Sequence, residues 1–394
     1  MDAFTEVLMT RAIWTATALL LGATAIGCAS GPSATAISDR PDTPFKLATF
    51  EAAGQTRLGL VLGARVLDIA GANQHLTTTA RLAPLAIPTE MKALIEQYAT
   101  VSPRLYQIAN YFGANAPTNQ PFAFDEAAVT FKAPIKYPWN LMAASANYKA
   151  HAEGMGAAGA AQAPPPAARS ASARPPAGGF DASAASRIVP DRDAPVMFAK
   201  SPRSCIIDPN EPFYIVDGRQ RTDYEGELAI VMGPRPAYRV PREQALDYVF
   251  GYTIMQDLSD RGSERLREVT MFPGANWFDG KSIDRAAPFG PVIVPREFLP
   301  NGPSDLRLTT RLNGEVVQDA RTSNLIWSEP HLVAYVTSRM TLYPGDVIST
   351  GTPAGTGMER QVFLKPGDVV SVEVEGIGTL TTPFKALSEK PAGR

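Results

Sequence analysis

Apolar residues along the 394-residue chain recur mostly in short runs that turn residues interrupt. The stretch 223–233 shows this pattern most clearly, because acidic residues alternate in its first half and residues 228–232 are all apolar. An apolar run of this length with β-branched members predicts a buried strand. Successive side chains of a strand point to opposite faces, so Asp223, Glu225 and Glu227 are expected to share one face. Such an acidic row is either a solvated face or a cation site.

Residues 44–127 are predicted to form a small N-terminal α+β domain. Alternating apolar positions in its first part indicate strands, and apolar positions at helical spacing in its second part indicate helices. No constellation of reactive side chains falls in this region, so we expect it to support the fold or its assembly. The predicted strands are 46–50, 57–62 and 66–69, and the predicted helices are 88–99 and 103–112.

Residues 128–390 are predicted to form a second domain in which short apolar runs alternate with turn signals such as Pro-Gly-Asp at 344–346. One clear helix follows Ser328, a residue type that caps helices. This weight of strands favours an α+β, mainly β fold of the roll or barrel type over a βαβ sheet. Residues 157–194 consist almost entirely of Ala, Pro, Ser, Gly and Arg, a composition that cannot bury a core and predicts a mobile loop.

The first 28 residues have the composition of an export signal. An uncharged apolar run, too short for a comfortable membrane span, ends in small residues before Cys28. We therefore expect an exported protein, in the periplasm or attached to the membrane as a lipoprotein through Cys28. An ordinary cleaved signal and an uncleaved anchor are the alternatives. The start is either Met1 or Met9, and residues 29–43 are expected to be a flexible tether.

Composition excludes two broad classes of protein. The formal net charge is −2 at pH 7 and no basic stripe is present, so we expect no nucleic-acid partner. Two cysteines are too few for a disulfide framework.

A third acid joins the two glutamates as a candidate metal ligand. Asp257 ends another apolar run, 251–257. Together with Glu225 and Glu227 it would offer three carboxylates to a hard divalent cation such as Mg²⁺, Mn²⁺ or Ca²⁺. No Cys/His cluster in the sequence supports zinc. Taken alone, Asp257 is more typical of a turn or a helix cap.

Two further motifs have residue types that perform acid–base or electrostatic catalysis. His151 lies close to Glu153 and to the low-complexity segment, so it could be a general base on a lid. Lys281, in the Gly-Lys-Ser sequence at 280–282, could hold a developing oxyanion or enolate at a bend. Taken singly, each is more often an ordinary loop or surface residue.

The run 350–357 (Thr-Gly-Thr-Pro-Ala-Gly-Thr-Gly) offers backbone N–H groups and hydroxyls to an anion, most simply a carboxylate. It lacks the Gly-Lys-Ser/Thr sequence and the following helix expected of a phosphate loop. A glycine-rich turn between strands explains the same composition equally well.

Taken together, these motifs resemble the fumarylacetoacetate hydrolase (FAH) family over residues 46–384. Each motif is modest alone, and their number, order and spacing make the combination specific. The resemblance implies a catalytic domain built as a mixed β-roll, a homodimer and a divalent metal cofactor. It rests on residues 46–50, Asn147-Tyr148 with His151, 195–200, 223–233, 251–261, 280–291 and 342–355.

The same resemblance implies roles for individual residues. Glu225, Glu227 and Asp257 match the metal ligands, for Mg²⁺ or else Mn²⁺ or Ca²⁺. Lys281 matches the lysine that stabilises the oxyanion, and His151 matches the water-activating base on the lid. The residues expected at the substrate are Tyr148, Arg261, Gly351 and Thr352.

One position departs from the family pattern. Many members carry a lid glutamate three residues after the histidine, where this chain has Gly154. The nearest acid, Glu153, lies one residue away, which is a rotation of about 100° around a helix. Either the lid winds differently and Glu153 pairs with His151, or another group orients the water, or hydrolysis is impaired.

The resemblance implies an enzyme that uses a divalent metal to cleave a C–C bond in a 1,3-diketo acid of the acylpyruvate or fumarylacetoacetate type. His151 would activate the water, while the cation and Lys281 stabilise the enolate that leaves. Two alternatives stay open. One is a decarboxylase or isomerase of a 2-oxo acid or diacid that uses the same metal–enolate site, and the other is a non-catalytic envelope binding protein.

Overall fold

A computed structural model of the chain describes residues 37–113, 119–161, 186–262, 277–299 and 302–391. The predicted export signal with Cys28 and the middle of the predicted loop 157–194 lie outside the described residues. Among the helices that are described, none is long and apolar enough to cross a bilayer.

Strands dominate the described part of the chain, and the α+β, mainly β fold expected from the sequence is confirmed. The helices are α1 (Ile69–Thr79), α2 (Met91–Glu96), α3 (Tyr98–Gly113), α4 (Lys149–Ala161), α5 (Pro202–Cys205), α6 (Trp277–Lys281), α7 (Glu329–Thr337) and α8 (Gly357–Arg360). The strands are β1 (Lys46–Ala52), β2 (Gln55–Leu62), β3 (Arg65–Asp68), β4 (Ala123–Asp125), β5 (Thr130–Lys132), β6 (Leu141–Ser145), β7 (Val196–Ala199), β8 (Ile206–Ile207), β9 (Phe213–Ile215), β10 (Thr222–Asp223), β11 (Gly226–Met232), β12 (Val249–Gln256), β13 (Ser259–Asp260), β14 (Ala287–Pro295), β15 (Arg307–Leu312), β16 (Glu315–Arg321), β17 (Val347–Ser349), β18 (Val369–Val374) and β19 (Gly378–Ala386).

The described strands form one large sheet and two smaller ones. The large sheet has twelve strands, with the main order β4-β3-β2-β1-β14-β12-β11-β17-β6-β7, and β5 and β8 pair at its side. A five-stranded sheet has the order β16-β15-β18-β19-β9, and β10 pairs with β13. Antiparallel pairs predominate, but β17 pairs with β6 in parallel. The sheets are therefore mixed, as a roll requires and a βαβ fold does not.

The N-terminal part of the chain continues the large sheet. The hairpin and third strand predicted from alternation are β1, β2 and β3, and the two predicted helices are α2 and α3. Strand β1 also pairs with β14, with Leu47 opposite Ile293. From Ile37 onward the chain forms one structural unit. The predicted boundary near residue 127 is therefore not a break in the sheet.

Strand β11 lies in the interior of the large sheet and is buried on both faces. Leu228 and Ile230 belong to one apolar cluster, while Ala229 and Val231 belong to another on the opposite face. A strand that is covered on both sides needs apolar residues at every position, which explains the unbroken run 228–232. The strand that carries Glu227 and directly follows Glu225 thus lies in the interior of the fold.

We expect Ile230→Ala to lower the free energy of unfolding by about 2–5 kcal/mol, because a buried isoleucine leaves a cavity that its neighbours only partly fill. Chemical denaturation followed by circular dichroism measures the change. Val369→Ala, at a partly exposed position of β18, is the matched control and should change stability by less than about 1 kcal/mol. Equal losses in the two variants would contradict the central position of β11.

Candidate active site

Three carboxylates meet where strands β11 and β12 leave the sheet. Glu227 lies on β11, Glu225 directly precedes this strand and Asp257 directly follows β12. The two strand ends are adjacent because Gly226 pairs with Gln256. One oxygen of each carboxylate lies within 4.8 Å of the others, and all three side chains are buried. Strand pairing thus brings together the three acids that the sequence singles out.

The electrostatics of this acidic cluster fit a divalent cation. Burial and the carboxylates of Asp257 and Glu225 raise the pKa of Glu227 well above its usual value. Its Oε1 has no hydrogen-bond partner among the described residues. Burial also opposes ionisation of Glu225, but Lys281 and Arg261 outweigh burial and lower its pKa. Hard carboxylate oxygens, one of them unpartnered, are the ligands that Mg²⁺, Mn²⁺ and Ca²⁺ prefer, so these three residues would hold such an ion.

Lys281 lies at the C-terminal end of the short helix α6, where the sequence indicated a bend. Its Nζ donates hydrogen bonds to Glu225 Oε2 at 2.8 Å and to Asp257 Oδ2 at 2.5 Å. Burial lowers the pKa of this lysine, but the two carboxylates outweigh burial, so its pKa is raised and it stays a cation. A fixed ammonium beside the acids is suited to stabilising negative charge that develops on a bound acid.

Lys200 belongs to the same cluster, although sequence reasoning gave it no role. Its fully buried Nζ donates to Asp257 Oδ1 at 2.7 Å, to the carbonyl of Leu258 at 3.3 Å and to the carbonyl of Lys281 at 2.5 Å. This ammonium therefore fixes both a candidate metal ligand and the main chain of Lys281. The available signal was only that this lysine directly follows the apolar run that forms β7, and it was weak because lysine is rarely buried.

Arg261 is held between two acids at the edge of the cluster. Its Nε donates to Asp223 Oδ2 at 2.8 Å, and a second nitrogen forms an ion pair with Glu225. Asp223 is fully buried and also accepts the N–H groups of Gly357 and Met358 at the start of α8. Asp223 therefore supports the site by holding Arg261 and the start of α8. The alternative, a position on the surface, is wrong because Asp223 is buried.

The run 350–357 and the residue before it, Ser349, hold Glu227 and the first residues of β11. The N–H of Gly351 donates to Glu227 Oε2 at 2.9 Å, and the hydroxyl of Ser349 donates to the same oxygen at 2.5 Å. Gly351 has a positive φ of 94°, which suits glycine in this tight turn. The hydroxyl of Thr352 donates to the first carbonyl of β11, and its side chain lines the cavity described below. The run thus holds Glu227 in place as well as bordering the site.

Two features of this run were not anticipated from the sequence. The four-residue helix α8 follows it, although we expected none, and Thr356 and Glu359 form a capping box at its start. Gln318 of β16 donates from Nε2 to Thr352 Oγ1 at 2.8 Å and to the carbonyl of Pro353 at 2.7 Å. No sequence pattern distinguishes Gln318 from the other polar residues of β16, so the sequence could not predict this role.

The carboxylate that faces His151 comes from α8. Glu359 Oε2 lies 3.3 Å from His151 Nδ1, an ion-pair distance without an aligned hydrogen bond. Burial raises the pKa of Glu359, but His151 and the N–H groups of Thr356 and Gly355 outweigh burial, so its pKa is lowered. An ionised carboxylate therefore faces the imidazole, as a base oriented by an acid requires.

The position three residues after the histidine is glycine because Glu359 occupies the adjoining space. A Cβ added at Gly154 would lie 2.1 Å from Glu359 Oε1. Glu153, the partner expected for His151, is exposed and lines a different cavity of about 580 Å³ together with Tyr148. The structure thus pairs His151 with Glu359 and turns Glu153 away, as the rotation of about 100° per residue in a helix requires.

His151 lines a cavity of about 180 Å³ together with Glu225, one of the three acids of the cluster. Tyr148, which we expected at the substrate, does not line this cavity. It is buried, and burial together with the charge of Glu227 raises the pKa of its hydroxyl. Arg261 and Thr352 do line it. The main described lining residues are His151, Met155, Glu225, Arg261, Trp277 and Lys281.

A comparison with protein families decides the class of this chain. The family model described as fumarylacetoacetate (FAA) hydrolase, C-terminal, matches residues 140–385. This range is more than half of the chain and contains every described residue of the cavity. The chain belongs to the fumarylacetoacetate hydrolase family. The resemblance seen in the sequence motifs is thereby confirmed.

Members of the family similar to this chain differ in their reactions. The mitochondrial oxaloacetate tautomerase of Xenopus laevis is 36% identical over 197 residues, which are 50% of this chain and 59% of that protein. The solved fumarylacetoacetate hydrolase of Exiguobacterium antarcticum is 30% identical, with a TM-score of 0.59 over 87% of this chain and 99% of that chain. The maleylpyruvate hydrolase of Sphingobium sp. SYK-6, solved with manganese(II) and pyruvate, is 24% identical, with a TM-score of 0.58 over 86% and 99% of the two chains, and shows likeness of fold.

If the acidic cluster is the metal site of this family member, Glu225→Gln and Asp257→Asn should each weaken Mn²⁺ binding strongly. We expect a loss larger than the roughly 10–100-fold that removal of an outer partner of a metal ligand causes. Titration calorimetry of the metal-free protein with MnCl₂ measures it. Glu315→Gln removes an exposed carboxylate of β16 and is the matched control. Unchanged Mn²⁺ affinity in the two cluster variants would contradict the assignment.

Lys200→Met should destabilise the metal-free protein by about 3–5 kcal/mol, because it leaves the buried Asp257 with one cation fewer. Urea denaturation measures this loss. Lys385→Met, which removes an exposed lysine of β19, should have an effect below about 1 kcal/mol. A similarly small effect of Lys200→Met would show that the buried ion pair does not hold Asp257.

Proposed function

We propose that this protein is a divalent-metal-dependent hydrolase that cleaves a C–C bond in a 1,3-diketo acid of the acylpyruvate or fumarylacetoacetate type. The observation that supports this most is the shared cavity. A histidine that faces an ionised carboxylate lines the same small cavity as Lys281 and Glu225, and Glu225 is one of three clustered carboxylates suited to a hard cation. Family membership supports the class of reaction, since hydrolases of such acids are among the similar structures.

The acidic cluster and Lys281 would bind the 2-oxo acid end of the substrate. Glu225, Glu227 and Asp257 would hold a divalent cation, which would supply Lewis acidity when bound. Lys281 contributes a positive charge at a fixed place, because two carboxylates and the contact of Lys200 with its main chain restrain it. This arrangement lowers the energy of an enolate relative to the neutral acid.

His151 would take a proton from water at Nε2. Its Nδ1 faces the carboxylate of Glu359, which favours the tautomer with the proton on Nδ1 and leaves Nε2 as the basic nitrogen. Glu359 also stabilises the imidazolium that forms when His151 accepts the proton. The N–H groups of Gly355 and Thr356 keep Glu359 ionised and in position.

The bonds and electrons of the reaction balance without a further reactant. The oxygen of water forms a bond to the carbonyl carbon of the acyl group, and the bond between this carbon and the central CH₂ group breaks. The electron pair of the broken bond stays on the pyruvate part as its enolate. This enolate takes up the proton that His151 received, and the products are pyruvate and the carboxylic acid of the acyl group.

The second candidate is an isomerase or decarboxylase of a 2-oxo acid or diacid that uses the same enolate-stabilising site. The 36% identity to an oxaloacetate tautomerase favours it specifically. This reaction moves a proton or releases CO₂ and needs no water to attack carbon. It therefore predicts little dependence on His151 paired with Glu359.

Product analysis separates these candidates. The wild-type protein with Mg²⁺ or Mn²⁺ is incubated with acetylpyruvate, a fumarylacetoacetate-type diketo acid and oxaloacetate, and the products are identified by mass spectrometry. We expect pyruvate and acetate from acetylpyruvate, and a rate about 10²–10⁴ lower for His151→Ala with metal binding retained. Turnover of acetylpyruvate by His151→Ala at the wild-type rate would falsify the proposed mechanism.

Moving the carboxylate from α8 to α4 tests the role of Glu359. We expect Glu359→Ala to lower kcat for acetylpyruvate by about 10²-fold, because His151 loses the group that orients it. In the double variant Gly154→Glu/Glu359→Ala, a carboxylate returns from the helix that carries His151, and the space is free. Its kcat should exceed that of Glu359→Ala by about tenfold.

The single variant Gly154→Glu is the control for this exchange. Because a Cβ at this position meets Glu359, the single variant should be less active than the double variant. Equal activity of Glu359→Ala and the wild type would contradict the role of Glu359. If the double variant is folded by circular dichroism but its kcat is no higher than that of Glu359→Ala, a carboxylate at position 154 cannot replace the one at position 359.

A further inference from the structure

The cavity of His151 has an apolar wall that the proposed reaction does not use. Trp277 in α6 and Met155, one helical turn after His151 in α4, both line it. The indole ring of Trp277 stacks on Phe198, with the ring centroids 5.0 Å apart and 25° between the planes. The Nζ of Lys281 lies 5.1 Å from the centroid of the same Phe198 ring. The apolar wall therefore adjoins the ammonium group that faces the acidic cluster.

The two basic side chains among the described lining residues are already paired with acids. Lys281 binds the carboxylates of Glu225 and Asp257, and Arg261 binds those of Asp223 and Glu225. A second carboxylate on a substrate would find no unpaired lysine or arginine on the described part of this cavity. Burying a carboxylate without a partner is costly, so the described lining of the cavity favours a substrate with an uncharged far end.

Size and shape point to a small, flat or flexible apolar group. The volume of about 180 Å³ lies below the roughly 300–1,000 Å³ of ordinary ligand pockets. An indole ring offers a flat face to a planar group, and the thioether of a methionine adapts to irregular alkyl groups. Trp277 and Met155 together provide both kinds of surface.

We propose that Met155 and Trp277 select substrates with a short, uncharged acyl group. Acylpyruvates whose acyl part is an alkyl or aryl group are then preferred over diketo acids that end in a second carboxylate. This inference rests on the proposed function, because it names the substrate class of the same site. Met155 and Trp277 act as specificity-determining residues and take no part in proton transfer.

A matched pair of substrates tests this preference. Butanoylpyruvate and succinylpyruvate have the same chain length and differ in a terminal methyl group against a terminal carboxylate. We expect kcat/KM of the wild type with Mg²⁺ to be at least about tenfold higher for butanoylpyruvate. Met155→Arg places a cation on the apolar wall and should lower this ratio by about tenfold or more.

Two control variants isolate the effect of charge at this wall. Met155→Gln makes the wall polar without charge and should leave most of the preference in place. Phe278→Arg adds the same cation at an exposed neighbour of Trp277 and should leave the ratio unchanged. A wild-type ratio of one or less, or an equal shift in Met155→Gln and Met155→Arg, would overturn the inference while hydrolysis itself stands.

Binding measurements keep the inference testable if hydrolysis fails. Quenching of tryptophan fluorescence gives the Kd of each compound for the Mg²⁺-loaded protein, whether or not it is cleaved. If neither compound is cleaved, the proposed hydrolysis is wrong. In that case a Kd for butanoylpyruvate at least about tenfold lower than for succinylpyruvate still supports the apolar selection, and an equal or higher Kd overturns it.

Discussion

The structure depends on the compensation of buried charge at the ends of its central strands. Burying a carboxylate is unfavourable unless cations or hydrogen bonds offset the lost hydration, and here several carboxylates lie within a few ångströms of one another. Lysine and arginine side chains from separate elements supply that compensation. The acids are Asp223, Glu225, Glu227 and Asp257, and the cations are Lys200, Lys281 and Arg261.

This compensation is incomplete at Glu227, which suits the cluster to binding a cation in addition to supporting the fold. Its Oε2 accepts two hydrogen bonds from the strand end and the turn after β17, while its Oε1 has no partner among the described residues. The raised pKa of Glu227 shows the same deficit of positive charge. A divalent cation would supply the missing positive charge, so metal binding would also complete the compensation of the buried acids.

Features that depend on local periodicity could be predicted from the sequence, and features that depend on tertiary contacts could not. The alternation before the apolar run 228–232 singled out Glu225 and Glu227, which do lie together, but the predicted strand is interrupted at 224–225, so Glu225 directly precedes β11. Lys200 reaches Asp257 only in the folded chain, because it follows the edge strand β7 whereas Asp257 follows β12. The partner of His151 was missed for a similar reason, since Glu359 lies more than 200 residues away along the chain. Signal, lipidation and dimer predictions concern properties that the described residues do not address, and they stay predictions.

Gly154 shows how one missing side chain can be informative. From the sequence alone, Gly154 indicates that the lid has lost its glutamate, and the adjacent Glu153 is the nearest acid that could replace it. In three dimensions the same glycine makes room for Glu359, so the acid is supplied from α8 and not lost. This contact gives His151 a facing carboxylate and so supports the proposed hydrolysis, which remains a proposal.

The most direct test of this account follows acetylpyruvate by ¹H NMR in ²H₂O with the Mg²⁺-loaded protein. Proton transfer alone exchanges the hydrogens of the central CH₂ group with deuterium, whereas hydrolysis adds one deuteron to this carbon as it becomes the methyl group of pyruvate and also produces acetate. The account predicts that acetate and pyruvate accumulate in equal amounts as acetylpyruvate disappears. Enzyme-dependent exchange at the CH₂ group without acetate would contradict it, because the site would then stabilise an enolate without activating water.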